Sequence, residues 1–515
     1  MDTKALRQKI LDLAIRGKLV PQDPNDEPAE VLLERIREQK QQMFKEGKLK
    51  KKDIKNDTII FKGEDNLHYE KFADGTVKCM EDEIPFEVPE GWAWCKLNDI
   101  YNFIDYRGAT PTKITNGIPL VTAKNVKSGY IDYTIDDYIS EEEFKERQQR
   151  GISKKGDILF TTEAPLGNAA LADMEKFSAG QRLITFQQYG SKNELINYVM
   201  LMFILSDFFQ QQLYVNKTGS TVAGIKAAIL KTLWIPVPPY NEQLRISNTL
   251  KSAINLIDSI SQNKEILSTS ISNTKSKILD LAIRGKIVPQ DPNDEPASVL
   301  LERIRAEKEE LIKQGKIKRD KKESVIFKGD DNSYYGIHLP DSWNWASLRE
   351  IALSISDGSH NPPPNNGSGI PLLSAANIND NSILMNEISR WITNEEWKIE
   401  NQRTNIEVGD VLLTIVGSIG RSAVVQNNNH FALQRSVAVI KPCLINPLYL
   451  MHIVQSPQIQ KWLTDNSKGT AQKGIYLNAL SLMIIPIPPL AEQARIVELI
   501  HIAYKQLDLI SNALL

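Results

Sequence analysis

Residues 9–40 recur at residues 277–308 with four changes: Leu19/Ile287, Glu30/Ser298, Glu38/Ala306 and Gln39/Glu307. The copied text runs ILDLAIRGKLVPQDPNDEPAEVLLERIR in the first instance and matches at 28 of 32 positions, where chance at average composition would give about two. This is duplication, and it constrains the fold more than any single motif. Weaker echoes follow. Phe61-Lys62-Gly63 answers to Phe327-Lys328-Gly329, Trp92-Ala93-Trp94 to Trp343-Asn344-Trp345, and Gly117-Ile118-Pro119-Leu120 to Gly369-Ile370-Pro371-Leu372. Gly156-Asp157 matches Gly409-Asp410, Gln181-Arg182 matches Gln434-Arg435, and Ile235-Pro-Val-Pro-Pro matches Ile485-Pro-Ile-Pro-Pro. Two kinds of segment therefore alternate. One is nearly identical between copies, which suits a job done twice on the same partner. The other keeps framework glycines, prolines and tryptophans and changes almost everything else, which suits one job done on two targets.

The divergent segments, 84–239 and 337–489, read as mixed α/β units of about 150 residues, large enough for a core each. Short β-rich runs at 158–162 and 411–414 follow Gly-Asp turns. Residues 197–213 and 447–463 have the apolar content and spacing of one buried helix each. After Pro239 the texture changes. Ile246, Leu250, Ala253, Ile257, Ile260, Lys264, Leu267, Ile271, Thr274, Ile278 and Leu281 step by four and three alternately, and nine of the eleven are apolar. No proline or glycine interrupts 241–284. The pattern is that of a coiled-coil seam, with an amphipathic helix on a globular core as the alternative. Ile496, Ile500, Ala503, Leu507, Ile510 and Leu514 repeat it, and Leu6, Ile10 and Leu13 fall in the phases of Thr274, Ile278 and Leu281. The N-terminal segment thus corresponds to the back of the central helix and the C-terminal segment to its front. The expected fold is α+β: two mixed α/β domains separated by two long antiparallel helices, pseudo-two-fold, with adjacent termini. The segments are 1–83, 84–239, 240–336, 337–489 and 490–515.

In each repeat Pro28 and Pro296 fit a first helical turn, and Gly47 and Gly315 fit C-terminal stops. Basic runs at 48–55 and 316–322 are either solvated loops or contacts to phosphate or a partner.

Several function classes are excluded or disfavoured. The 515 residues suit about three or four units, and no run approaches the roughly 18–20 apolar residues of a membrane span. The first residues lack the apolar core of a signal peptide. Three scattered cysteines, Cys79, Cys95 and Cys443, make neither a disulfide framework nor a zinc site and fit a reducing, cytoplasmic setting. A net charge of −2 argues against binding nucleic acid by bulk charge, while leaving room for a reader with one basic face. Gly219–Gly224 has the glycine spacing of a phosphate loop, but Lys226 comes one place late and no hydroxyl residue follows. Asn361-Pro362-Pro363-Pro364 lacks the aromatic that an amino-methyltransferase motif requires, and Val237-Pro238-Pro239-Tyr240 lacks the Asn or Asp. The six histidines form no metal spacing or triad. No metal site and no catalytic residue is expected.

The ordered set LDLAIRGK(L/I)VPQDPNDEP, Ile84-Pro85…Pro89-Glu90-Gly91-Trp92, Gly156-Asp157-Ile158-Leu159 and Ile-Pro-x-Pro-Pro…Glu-Gln-x-Arg-Ile closely resembles the specificity subunit of Type I restriction–modification systems. The resemblance covers essentially the whole chain. It implies a subunit without chemistry of its own that reads a split, asymmetric site in double-stranded DNA, one half per recognition domain. It implies as partners two methyltransferase subunits and two translocase–nuclease subunits. S-adenosylmethionine, ATP and Mg would belong to those partners, with no cofactor in this chain. The helix positions Ile246, Leu250, Ile257, Ile260, Ile271, Ile496, Ile500, Leu507 and Ile510 would form the spacer that sets the gap.

The family's glycine-containing DNA segment matches Lys217-Thr218-Gly219-Ser220-Thr221…Lys226 and Lys468-Gly469-Thr470…Lys473. Lysines, small hydroxyls and backbone N–H groups suit phosphate contacts; an ordinary helix-initiating loop is the alternative. Candidate base readers are Tyr106, Arg107, Lys113, Lys124 and Asn125 in the first domain and Ser359, His360, Asn361 and Asn377 in the second. Gln181-Arg182 and Gln434-Arg435 recur in both and read as framework or phosphate contacts. Two other classes stay open: a fused methyltransferase or nuclease, which S-adenosylmethionine binding by the chain alone would reveal, and a non-DNA scaffold, which failure to bind any DNA would reveal.

Overall fold

The computed structural model describes the chain apart from residues 1, 55–56, 73, 107–109, 135, 190–193, 220–222, 320–332, 470–472 and 515, and the side chains of 52 and 53. It has two compact units, Met1–Asn263 and Lys264–Leu515. The helix Tyr240–Ile283 is continuous for 44 residues and supplies one stretch to each.

In the first unit the helix Thr3–Ile15 starts on Asp2, whose carboxylate accepts from Lys4 N at 2.9 Å and Ala5 N at 3.1 Å. It buries Leu11, Ala14 and Ile15. It runs antiparallel to the front of the long helix, because Arg7 near its start pairs with Asp258 while Gln22 beyond its end donates to Glu242 at 2.6 Å. The second unit repeats the arrangement with other parts of the chain. There the back of the long helix lies against Leu490–Ala513, with Lys275–Asp508 at 2.5 Å and Gln290–Glu492 at 2.6 Å. Each unit closes the pair with the same ion pair to the copied loop, Arg245–Asp26 and Arg495–Asp294, both at 2.5 Å.

The copied loop leaves its first helix at a glycine that no other residue can replace. Gly17 has φ +64°, and a Cβ there would lie 2.3 Å from Pro89 Cγ. Gly285 has φ +63°, with Pro340 Cγ at 2.5 Å. The helices Ala29–Lys45 and Ala297–Lys313 follow. Pro28 and Pro296 stand one residue before the first turn, at the cap, since the Ala29 and Ala297 N–H groups are satisfied from outside by Gly91 O and Ser342 O. Gly47 and Gly315, at φ +70° and +71°, close these helices as expected.

Each unit carries a lobe built on an antiparallel four-stranded sheet. The first orders its strands Tyr101–Asp105, Leu183–Gln188, Ile158–Thr161, Ala169–Leu171; the second orders Ala352–Asp357, Val437–Pro442, Val411–Thr414, Ser422–Val424. A smaller sheet centres on Ile118–Val121 in one lobe and Ile370–Leu373 in the other. The Ile-Pro-x-Pro-Pro motifs form two-stranded ribbons, Trp234–Val237 against Ala93–Lys96 and Ile484–Ile487 against Asn344–Ser347. Proline is tolerated there because a ribbon has free edges. Unit 1 also contains a three-stranded sheet, Ile59–Lys62, His68–Lys71 and Val77–Cys79, that the sequence reading did not anticipate.

Two expectations need correction. The single helices expected at 197–213 and 447–463 are each two, Asn197–Ile204 with Asp207–Val215 and Pro447–Val454 with Pro457–Asp465. Ser206 Oγ donates to Phe203 O at 2.6 Å and accepts from Phe209 N at 3.4 Å, ending one helix and capping the next. Ser456 Oγ likewise donates to Ile453 O at 2.6 Å. The long-helix seam is buried only in part. Ile246, Leu250, Ile257 and Ile271 are buried, Ile260 is half-buried, and Leu267 between them is exposed. Ile254 and Leu279, one place beyond the seam positions Ala253 and Ile278, are buried, so the buried stripe departs from the strict seam. On Leu490–Ala513, Ile496 and Ile500 are buried, Leu507 is half-buried and Ile510 is exposed. Among the described residues no helix is long and apolar enough to cross a membrane.

Candidate nucleic-acid interface

At one end of the four-stranded sheet several loops of the first lobe converge. Thr162, just past the strand Ile158–Thr161, accepts from Ile225 N at 3.0 Å and donates its N–H to Arg182 O at 3.1 Å. The glycine segment is closed at its base by paired Thr218 N–Gly224 O (2.7 Å) and Gly224 N–Thr218 O (2.9 Å) bonds. Glu163 bridges to Gly224 and takes the Arg182 Nε at 3.1 Å. Thr110 Oγ1 donates to Gln181 Oε1 at 2.8 Å, and Gly180 N donates to Val121 O at 2.7 Å, which draws in the turn at 122–125. The second lobe builds the same edge. Lys468 N–Gly474 O (2.8 Å) and Gly474 N–Lys468 O (2.9 Å) close its glycine segment, Ile475 N donates to Ile415 O, and Arg435 N donates to Ser359 O. Ala375 N donates to Ser436 Oγ at 3.0 Å.

The edge therefore gathers nearly every sequence candidate, in two kinds. Lys124, Lys217, Thr218 and Lys226 of lobe 1 and His360, Asn361, Lys468 and Lys473 of lobe 2 are exposed on it. Lys217 sits 5.4 Å over the Tyr214 ring. Lys113 is exposed but already paired with Asp137 at 2.7 Å. Arg107, Ser220, Thr221 and Thr470 lie outside the described residues.

Four candidates are buried rather than exposed on the edge. Tyr106 is 3% exposed, its hydroxyl donates to Gly151 O at 2.5 Å, and the Arg147 guanidinium lies 5.0 Å from its ring. Burial raises that phenol above its ordinary range. Asn125 accepts from Thr122 N at 3.0 Å and donates to Asp132 O at 2.9 Å; Asn377 accepts from Ser374 N at 3.0 Å and donates to Glu387 O at 2.8 Å. The two asparagines are the same buried turn in the two lobes. Ser359 is buried beside Gln434. The polar atoms of Tyr106, Asn125 and Asn377 are thus hydrogen-bonded inside the lobes, as buried polar groups generally are. Conversely, Arg182 and Arg435 are exposed on the edge; their recurrence in both lobes was the sequence signal for a shared role.

Among the described residues no group of three or more His, Cys, Asp and Glu is placed to hold a metal. What each edge offers is cations, amides and hydroxyls on a rim of backbone loops, the chemistry that meets phosphates and base edges.

Comparison with known proteins is consistent with this geometry. A family model described as Type I restriction modification DNA specificity domain matches residues 89–268 and 340–514. The chain is 28% identical to the Type I restriction enzyme EcoEI specificity subunit of Escherichia coli, over 99% of this chain and 90% of that protein. It is 30% identical to the EcoAI specificity subunit of Escherichia coli, over 73% and 67% respectively. A chain from a solved structure concerning assembly and conformational transition of the type I R-M system superposes with a TM-score of 0.55 at 18% identity, over 84% of this chain and 94% of that one, a likeness of fold.

Proposed function

The chain belongs to the Type I restriction–modification DNA specificity family, and from that premise we propose that it is the DNA-reading subunit of a Type I restriction–modification complex and has no catalytic role of its own. Each lobe reads one half of a bipartite, asymmetric site in double-stranded DNA through its converged edge. The observation that carries the reading is the duplication itself. Two units share the same buried clasps, yet their edges carry different side chains: Lys124, Lys217 and Lys226 in one, His360, Asn361 and Lys473 in the other.

The near-identical segments would dock two methyltransferase subunits, and two translocase–nuclease subunits would join for cleavage. S-adenosylmethionine, ATP and Mg would be held by those partners. The long helices would act as the spacer, in a pseudo-two-fold arrangement with adjacent termini; the antiparallel pairs Arg7–Asp258 and Lys275–Asp508, one inside each unit, support the repeat of the helix pairing. The segment limits 1–83, 84–239, 240–336, 337–489 and 490–515 and a cytoplasmic setting belong to the same reading.

Salt titration of DNA binding by the complex with methyltransferase tests the edge. Lys217→Ala with Lys226→Ala should weaken binding evenly across sequences and reduce the slope of log affinity against log salt by about two. An unchanged slope would remove these lysines, and the glycine segment with them, from the interface.

A further inference from the structure

In the second lobe the strand Ala352–Asp357 delivers Gly358, Ser359 and His360 onto the edge. The backbone is pinned on the way. Gly358 N donates to Val437 O at 3.1 Å, Ser359 N to Leu433 O at 2.7 Å, and Arg435 N to Ser359 O at 2.9 Å. A Cβ at Gly358 would fall 2.1 Å from Leu433 O, so the approach requires glycine.

The side chain is pinned as well. Asp357 is 7% exposed and its carboxylate is divided. Oδ2 takes His360 Nε2 at 2.8 Å, and Oδ1 takes the Arg403 guanidinium. Arg403 stands on the helix Asn394–Thr404 and also donates Nε to Asp357 O at 3.0 Å. His360 nevertheless keeps half of its side chain exposed, and its Nδ1 has no partner among the described residues. A half-exposed side-chain hydrogen bond contributes little to stability. An exposed ring whose inner nitrogen is fixed by a buried carboxylate is instead preorganised for a contact at its outer nitrogen.

The position has a counterpart. Asp105 lies opposite Ile184 as Asp357 lies opposite Ala438 in the matching strand pairs, so the residue that corresponds to His360 in the first lobe's sequence is Gly108. One lobe carries no side chain there and the other an imidazole, so this group belongs to the second lobe alone.

We propose, resting on the reading of the lobes as half-site readers, that His360 is a specificity-determining residue of the second half-site. Asp357 and Arg403 hold its Nε2–H inward. In the tautomer that donates Nε2–H to Asp357, the ring offers Nδ1 as acceptor to an exocyclic amine in the major groove, adenine N6 or cytosine N4. Asp357 is a positioning residue in this scheme.

The test is genome-wide methylation mapping of cells carrying the chain with its methyltransferase partner. His360→Ala should lose about ten-fold discrimination or more at one position of one half-site, with the other half and the gap unchanged. His360→Asn keeps an acceptor near the Nδ1 place and should retain the preference; the base retained there tells adenine from cytosine. Asp357→Asn should weaken the same position and no other. A motif that His360→Ala leaves intact overturns the proposal, and so does retention by His360→Lys with loss in His360→Asn, which would mean that the ring donates. A wild-type complex with no bipartite motif would overturn the underlying reading instead.

Discussion

At the scale of the residue, burial separates side chains that composition treats alike. Asp157, in the Gly-Asp turn before a core strand, accepts from Lys154 N and Gln187 Nε2, both at 2.7 Å. Burial nevertheless pushes its carboxyl up to about 6. The folded chain holds a proton that the unfolded chain releases near ~3.9. Stability from this group is therefore fully present below about 4 and is lost as pH rises to about 6. Asp157→Asn should flatten that slope and raise stability at pH 7 by about 1–3 kcal/mol, read as melting temperature at pH 4 to 7; an unchanged slope would show that the buried carboxyl is not the cause. The same separation explains what the sequence left illegible at the edge. Residue type suggested Tyr106, Asn125, Ser359 and Asn377 as readers, yet all four are buried in the lobes. The offset between copies drifts from 268 to 250 along the chain, which hid the equivalence of Thr122-x-x-Asn125 and Ser374-x-x-Asn377. That equivalence marks them as one buried turn built in both lobes.

At the scale of the element, periodicity was a good guide to helices and a poor one to their partners. The uninterrupted stretch 241–284 became the helix Tyr240–Ile283, because nothing in it breaks the hydrogen-bond ladder. The splits at Ser206 and Ser456 went unread, although a serine that can cap a helix stands inside each apolar run. The seam alone could not say whether another helix or a lobe covers it; Ile246 and Leu250 join the core of the first lobe and Leu279 that of the second. The C-terminal helix gives a graded test. Ile500 is fully buried, so Ile500→Asp sets an unpaired carboxylate in the core and should cost about 3 kcal/mol or more. Leu507→Asp, at a half-buried place, should cost clearly less. Denaturant midpoints of the two variants check the order, and equal losses would mean that Leu507 is covered as deeply as Ile500.

At the scale of the whole molecule, the chain says one thing twice in a constant frame and once each in two variable lobes. If the helices are the spacer, they also act as a ruler. A heptad inserted after Ile257, with a matching heptad after Leu507, keeps the seam in phase and adds about 10.5 Å. At about 3.4 Å per base pair the gap should widen by up to about three, with some loss of activity because that step turns the second half-site by roughly 100°. An active complex with its original gap would show that the helices do not set the distance. The central claim is that each lobe reads its own half of one site. Its most direct test replaces residues 337–489 by a second copy of 84–239 and maps methylation in cells that supply the methyltransferase subunit. The account predicts a site made of two inverted copies of the half read by the first lobe, at the original gap. A motif that still contains the second lobe's native half would contradict it.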